Sequence, residues 1–155
     1  MVQDLFVFYL GEHRIGLPLG RIVRILQAVE VMELPNSPDV VLGMINVRGQ
    51  LVPVVDVRLR FGLEPKELEP SDHMIMATSR GRNMAFVADA SVGVVATNVG
   101  NTFSHDQLDA KTPWIDAVMR TIDGVVFIHD FDNFLSLEEA GVMADALSDV
   151  SKTTK

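Results

Sequence analysis

The densest run of residues that could hold a metal ion is His129-Asp130-Phe131-Asp132. Imidazole and carboxylate groups are common metal ligands, so His129, Asp130 and Asp132 could serve a small metal-dependent hydrolase. A structural role fits the same residues, because an Asp that ends a strand accepts hydrogen bonds from the first N–H groups of a following helix. No histidine stands four residues from another. The structural interpretation is therefore preferred, and no metal or cofactor is expected.

Other signatures of catalysis are missing from the sequence. The chain has no cysteine, which excludes a thiolate zinc site and a cysteine nucleophile. It has no G-x-S-x-G elbow to expose a serine and no P-loop to bind a phosphate. The sequence therefore predicts a protein that is not an enzyme.

The run Asn46-Val47-Arg48-Gly49 places an arginine within a strongly apolar hairpin. The Arg48 side chain could extend its guanidinium into solvent and have no further role. It could equally present a planar set of five donors to a carboxylate at an interface with another protein. The spacing of the residues leaves both interpretations open.

The distribution of charge narrows the class of partner. The net charge is −8; residues 1–60 hold six basic and six acidic residues, whereas residues 61–155 hold seven and fifteen. An acidic surface repels phosphate backbones, and one Trp and one Tyr offer few platforms for stacking bases. A nucleic-acid-binding barrel is thus disfavoured, and the neutral first part is the better surface for an acidic protein partner.

The termini and apolar runs indicate a cytoplasmic protein. Residues 1–10 include an acid and no basic lead-in, unlike a signal peptide. The longest apolar runs, 40–47 and 51–55, are far shorter than the ~20 residues that cross a bilayer. We therefore expect no direct insertion into a membrane.

The candidate side chains described above must be held in place by regular secondary structure. The sequence consists of short segments rich in β-branched and aromatic residues, separated by residues typical of turns. About ten strands and one C-terminal helix at Glu138–Leu147 predict an all-β fold. The best internal boundary is the acidic, proline-containing segment 64–72. The polar segment 148–155 is predicted to be a frayed tail, and the domain is predicted to end before its last five residues, 151–155. The predicted strands are Leu5–Leu10, Ile15–Leu17, Val23–Met32, Gly43–Val47, Leu51–Val57, His73–Thr78, Asn83–Ala88, Val92–Val99, Met119–Ile122 and Val125–His129.

An internal echo suggests two similar halves. Residues 49–56 and 124–130 each begin with a turn glycine, continue as an apolar strand and end in Asp. In each copy a Leu-Glu pair follows, its Glu eight residues after that Asp. Two copies of one hairpin and helical-turn unit imply two related small barrels.

These motifs resemble the CheW family of chemotaxis coupling proteins. The resemblance covers nearly the whole chain and is most specific at 43–58, which contains Asn-x-Arg-Gly and Pro-x-x-Asp-x-Arg. The motifs that carry it are Leu5-Phe-Val-Phe-Tyr-Leu-Gly-Glu, Gly16-Leu-Pro-Leu, Leu34-Pro-Asn-Ser-Pro, Gly43-Met-Ile-Asn-Val-Arg-Gly and Pro53-Val-Val-Asp-Val-Arg.

The resemblance implies one domain over 1–150, built from two five-stranded SH3-like barrels packed together with a short C-terminal helix. It also implies an adaptor that couples the cytoplasmic tips of methyl-accepting chemotaxis receptors to the regulatory domain of a CheA-like histidine kinase. Such a protein would lie at receptor arrays on the inner face of the membrane, held there by protein contacts. A related pathway with a non-flagellar output is an alternative.

The resemblance also implies a set of partner-binding positions. Many family members have a Glu that can pair with the Arg of the Asn-x-Arg-Gly motif, whereas this chain has Arg24 there. Two arginines would repel each other unless an acid from a partner, or Glu30 or Glu33, intervenes. The implied partner-binding residues are Ile22, Arg24, Gly43, Asn46, Arg48 and Gly49.

Overall fold

The computed structural model describes residues 4–96, 102–104, 115–121 and 124–153. Within these ranges, eleven strands form two sheets, and two α-helices accompany them. The strands are β1 (Asp4–Leu10), β2 (His13–Pro18), β3 (Ile22–Gln27), β4 (Val41–Val47), β5 (Gln50–Val55), β6 (His73–Ser79), β7 (Arg82–Ala88), β8 (Ala90–Ala96), β9 (Thr102–Ser104), β10 (Ile115–Thr121) and β11 (Gly124–His129). The helices are α1 (Val57–Arg60) and α2 (Leu137–Thr153), and 3-10 turns occupy Leu19–Arg21 and Phe131–Asn133.

The two sheets share one plan. The first sheet has the order β8-β1-β2-β11-β10-β9, and the second has the order β3-β6-β7-β5-β4. Each contains one parallel pair, β2 with β11 and β5 with β7, while the remaining pairs are antiparallel. The predicted all-β fold of two SH3-like barrels and a C-terminal helix is confirmed, with the short β9 as a sixth strand on the first sheet.

The echo in the sequence corresponds to a repeat in the structure. β5 and β11 are each the second strand of a hairpin and each form the parallel pair of their sheet. The Asp that ends each strand caps the helical turn after it: Asp56 Oδ1 accepts from Leu59 N at 3.1 Å, and Asp130 Oδ1 accepts from Asn133 N at 3.3 Å. The structural interpretation of Asp130 is therefore confirmed, although the capped element is a 3-10 turn.

The chain crosses between the sheets twice, after β2 and after β7. The second sheet is thus continuous in sequence, whereas the first combines β1 and β2 with β8–β11. The boundary placed near 64–72 was wrong, because this loop connects α1 to β6 within the second sheet. The crossings at 19–21 and 89 separate the sheets instead.

Three clusters of apolar side chains form the core. One lies within the first sheet and one within the second, while the largest joins both sheets to α2. In this shared cluster the Phe8 and Phe86 rings lie 5.0 Å apart. The methionines that fill the core are the buried Met44, Met74, Met76, Met84, Met119 and Met143.

The C-terminal helix extends further than predicted, since α2 runs from Leu137 to Thr153 and includes most of the segment read as a frayed tail. A capping box starts it: Glu139 N donates to Ser136 Oγ, and Ser136 N donates to Glu139 Oε1, each at 3.0 Å. Arg60 also donates to Glu139. Glu139 is therefore half-buried and held by these contacts, whereas the neighbouring Glu138 is exposed.

A buried carboxylate holds the loop 64–72 together. Asp72 is 3% exposed, and its two oxygens accept from Lys66 Nζ at 2.7 Å and 2.8 Å. Glu69 N also donates to Asp72 Oδ2 at 2.8 Å. Burial alone would raise the pKa of Asp72, but the hydrogen bonds from Lys66 and Glu69 N outweigh it and lower that pKa below its ordinary value.

We expect Asp72→Asn to lower the free energy of unfolding at pH 7 by about 2 kcal/mol, because it removes a charge-assisted bond from a buried group. The ionised carboxylate stabilises the fold above its unfolded pKa near 3.8, and this contribution disappears as the pH falls through the lowered pKa of the folded state. Urea unfolding from pH 7 to pH 2.5 should show the two proteins converging in acid. Glu67→Gln, on the exposed part of the loop, is the control; a constant gap down to pH 2.5 would contradict the assignment.

Candidate partner-binding surface

The Asn46–Gly49 run forms the tight turn between β4 and β5. Val47 pairs with Gln50, so Arg48 and Gly49 are the two central residues. Their φ angles of 52° and 86° are both left-handed, as a type I′ turn requires. Asn46 Oδ1 accepts from Gly49 N at 2.8 Å and closes the turn from the side. Asn46 and Gly49 therefore shape the hairpin that carries Arg48.

Arg48 projects from the tip of this turn and is exposed. Within the described ranges no carboxylate lies within ion-pair distance of it. A left-handed backbone costs a residue with a Cβ about 1 kcal/mol, and Asn or Gly would meet the same geometry more easily. The turn itself therefore gives no reason for an arginine at this position.

Gly43 closes the second barrel. The segment after β3 returns to β4, where Met32 and Met44 exchange two backbone hydrogen bonds of 2.8 Å. A Cβ on Gly43 would lie 2.3 Å from the Met32 carbonyl oxygen, a separation that packed atoms do not tolerate. Gly43 is buried, so it shapes the surface near the hairpin from beneath.

β3 forms one edge of the second sheet, and among the described strands it pairs with β6 alone. A bulge at Val23 lets Ile22 oppose Ala77 and Arg24 oppose Met76. Ile22 packs against the shared core and Arg24 is half-buried. The outward positions carry the apolar side chains of Val23 and Ile25, which are 47% and 44% exposed.

The sequence interpretation named Ile22 and Arg24 on this strand but missed Val23 and Ile25. Apolar residues occupy both faces of Ile22–Leu26, which is the pattern of a strand covered on both sides. In the structure the outer face is uncovered. The signal that could have identified Val23 and Ile25 is therefore the presence of apolar residues on both faces of this edge strand.

Neither Glu30 nor Glu33 replaces the acid that the family resemblance implies at position 24 as a partner for Arg48. Both are exposed, and among the residues that the structure describes neither forms an ion pair with Arg24 or Arg48. The second sheet therefore presents Arg24 on β3 and Arg48 at the β4–β5 turn without carboxylate partners in the described part of the chain.

A groove of about 780 Å³ lies beside the same turn. Asn46, Gly49 and Gln50 line it on the side of the turn, and Leu147 and Ser148 of α2 line the other side. The described residues around the groove include Arg82 and no carboxylate. In a chain with a net charge of −8, this part of the surface favours an acidic partner.

The side chains of His129, Asp130 and Asp132 serve three different contacts. The His129 ring is buried among Phe61, Phe131 and Phe134, with centroid distances of 5.5–5.6 Å. Asp130 caps its 3-10 turn, and Asp132 pairs with Arg21. The described residues contain no group of three or more His, Asp or Glu arranged to hold a metal ion. The hydrolase alternative therefore gains no support from the geometry.

The dipeptide Asp123-Gly124, between the predicted strands Met119–Ile122 and Val125–His129, suits a type I′ turn, but the structure covers it only in part. Asp123 lies outside the described residues, and Gly124 is the first residue of β11.

Among the described residues, no helix is both long enough and apolar enough to cross a membrane.

Comparisons with known proteins agree with this architecture. The model of the CheW-like domain family matches residues 4–139. A chemotaxis protein CheW of Treponema pallidum is 23% identical, with 92% of this chain and 87% of the relative aligned. That of Klebsiella aerogenes is 21% identical, with 91% and 86% aligned. The crystal structure of the scaffolding protein TtCheW from Thermoanaerobacter tengcongensis superposes with a TM-score of 0.80 at 21% identity, covering 90% of this chain and 96% of that one.

Proposed function

Because the chain belongs to the CheW-like domain family, we propose that it is a non-catalytic adaptor of chemotaxis-type signalling. It binds the cytoplasmic tips of methyl-accepting receptors and the regulatory domain of a CheA-like histidine kinase. These contacts hold it at receptor arrays on the inner face of the membrane. The proposal is supported by relatives named chemotaxis proteins and by a structural neighbour named a scaffolding protein.

The observation that carries the proposal is the edge strand β3. Its outward face presents Val23 and Ile25 to solvent, and no strand in the described part of the chain pairs with it on the side away from β6. Exposed apolar side chains on an unpaired strand edge favour association with another protein. An extended or helical segment of a partner can cover the apolar side chains while the ladder with β6 stays intact.

The six residues implied by the family resemblance divide into two groups under this proposal. Arg24 and Arg48 contact the partner directly, together with Val23 and Ile25. Ile22, Gly43, Asn46 and Gly49 support that surface through the shared core, the Met32 bridge and the turn hydrogen bond.

The two arginines define the chemistry of the partner segment. Each lacks an ion-pair partner in the described part of the chain, and a guanidinium prefers the two oxygens of a carboxylate. We therefore expect the partner to bring at least one Asp or Glu beside an apolar stretch. The acid that the family resemblance implies at position 24 would in this case come from the partner.

We expect Arg48→Asn to weaken binding of the receptor cytoplasmic fragment about tenfold, the effect of losing one interface contact. Asn removes the cation but accepts the left-handed backbone of the turn, so the melting temperature should stay within about 2 °C of the original. Arg48→Ala is less informative, because Ala is strained at positive φ. Isothermal titration and thermal unfolding of the same preparation provide both readouts.

Arg120→Asn is the control for loss of an exposed cation, because Arg120 lies on β10 of the first sheet; it should leave the affinity unchanged. If Arg48→Asn bound the receptor fragment as tightly as the unchanged protein, Arg48 would have only the solvent-exposed role considered above. If it lowered the melting temperature strongly instead, Arg48 would be structural.

The proposed function itself is tested by co-sedimentation. Receptor cytoplasmic fragments and the kinase regulatory domain, mixed with the purified chain, should each retain it, and all three together should pellet as one complex. Failure to bind either partner at micromolar concentrations would refute the adaptor role.

A further inference from the structure

The two crossings between the sheets occupy equivalent places in the repeat. Arg21 is the last residue before β3, where the chain passes from the first sheet to the second. Asp89 is the last residue before β8, where the chain passes back. β3 and β8 are both edge strands, each paired with the first strand of a hairpin.

At the first crossing Arg21 binds Asp132 through both guanidinium nitrogens, with distances of 2.7 Å to Oδ1 and 2.6 Å to Oδ2. The backbone N of Arg80, at the tip of the β6–β7 hairpin, donates to the same carboxylate at 3.1 Å. Arg80 Nε also donates to the Asp132 carbonyl at 2.8 Å. We name Arg21, Asp132 and Arg80 the β3 clamp.

At the second crossing the charges are reversed. Arg58 of α1 donates to Asp89 Oδ2 at 2.9 Å, and Gly11 N, at the tip of the β1–β2 hairpin, donates to the same oxygen at 2.7 Å. Lys66 Nζ lies 3.8 Å from the other oxygen. We name Asp89, Arg58 and Gly11 the β8 clamp.

Both clamps join the same three elements of the repeat. In each, a guanidinium and the backbone N–H of a hairpin tip converge on one carboxylate. Arg58 and Asp132 each stand two residues after the Asp that ends the parallel strand, and Arg80 and Gly11 each have positive φ. The equivalent pairs are Arg21 with Asp89, Asp132 with Arg58, and Arg80 with Gly11.

We propose that Arg21 and Asp132 are positioning residues for the partner-binding edge, acting on Val23, Arg24 and Ile25 through the start of β3; this role rests on the proposed function. Within the ranges that the structure describes, β3 has a ladder on one side only, so its placement depends on anchors at its ends. The β3 clamp holds the residue directly before Ile22, and Ala28 N donates to the Asp72 carbonyl at 3.1 Å just after the strand. Without the clamp, β3 still pairs with β6, but its first residues are no longer held in a fixed position.

The electrostatics agree with this geometry. Hydrogen bonding from Arg21 lowers the pKa of Asp132 below its ordinary value, against the effect of its partial burial. The same bond raises the pKa of Arg21. The pair is therefore fully ionised at neutral pH.

The repeat supplies a matched test, Asp132→Asn against Asp89→Asn. Each change removes one carboxylate charge from an equivalent junction while preserving size. Asp132→Asn should speed hydrogen exchange of the β3 amides bonded to β6 about tenfold and leave the β8 amides unchanged; Asp89→Asn should do the reverse. Affinity for the receptor cytoplasmic fragment should fall about fivefold with Asp132→Asn and stay within about twofold with Asp89→Asn. Arg21→Lys, which keeps the charge without the bidentate fork, should be intermediate in both readouts.

The two readouts separate the possible failures. Equal acceleration of β3 and β8 by Asp132→Asn, or none in β3, would overturn the positioning role. Acceleration confined to β3 with unchanged affinity would overturn it as well. If the unchanged protein does not bind the receptor fragment, both the proposed function and the positioning of a partner-binding edge are refuted. Faster hydrogen exchange confined to β3 in the Asp132→Asn protein would then show that the β3 clamp has a structural role only.

Discussion

Replacing Gly43 by Ala should lower the free energy of unfolding by about 3 kcal/mol, in the upper range for forcing an extra methyl into a packed site. The new Cβ would meet the Met32 carbonyl oxygen at 2.3 Å and the Val31 Cγ1 atom at 2.8 Å. The backbone atom cannot move away unless the two hydrogen bonds between Met32 and Met44 lengthen. Urea unfolding followed by circular dichroism measures the effect.

Gly141→Ala is the matched control for this change. Gly141 lies within α2, and a Cβ there meets nothing within 4 Å, so Ala should stabilise the helix by up to about 1 kcal/mol. A Gly43→Ala protein as stable as the original would show that the return segment after β3 does not need close contact with β4.

Ile25→Asp should weaken binding of the receptor cytoplasmic fragment about 30-fold, because it places a carboxylate in the centre of the apolar edge and repels an acidic partner. The side chain is 44% exposed, so the melting temperature should change little. Val142→Asp is the control, since Val142 is 41% exposed and lies on α2. Fluorescence anisotropy with a labelled receptor fragment gives both affinities.

Equal affinities for the Ile25→Asp protein and the unchanged protein would remove β3 from the interface. A similar loss with Val142→Asp would indicate that added negative charge anywhere on the surface weakens binding. The predicted pattern is loss at position 25 alone.

Much of the fold follows from local features of the sequence. Strand composition and turn residues locate the hairpins, because side-chain alternation and positive-φ positions are local properties. The echo between 49–56 and 124–130 anticipated a structural repeat, since both copies carry the same strand, Asp cap and helical turn.

The pairing of distant strands could not be read in the same way. A pattern of buried and exposed positions tells which face of β2 is covered, but it does not tell that β11 is its parallel neighbour. The boundary near 64–72 failed for this reason: a polar, proline-containing loop is a local signal, whereas membership of a sheet depends on contacts between remote segments.

The candidate site was partly predictable. The Asn-x-Arg-Gly run identified the β4–β5 turn, because an Asn and a Gly around an arginine suit a tight hairpin. The β3 clamp joins residues 111 positions apart, so no local pattern indicated it. The capping box of Ser136 and Glu139 was visible in the sequence as S-x-x-E and would have given the start of α2.

The most direct test of the central claim maps where a partner binds. The ¹⁵N-labelled protein is titrated with the receptor cytoplasmic fragment, and amide chemical shifts are followed residue by residue. We predict the largest changes at Val23–Ile25 and at Arg48–Gly49, with small changes around His129. Changes centred on His129 or on the exposed face of α2, with β3 and the β4–β5 turn unaffected, would contradict the assignment of this surface.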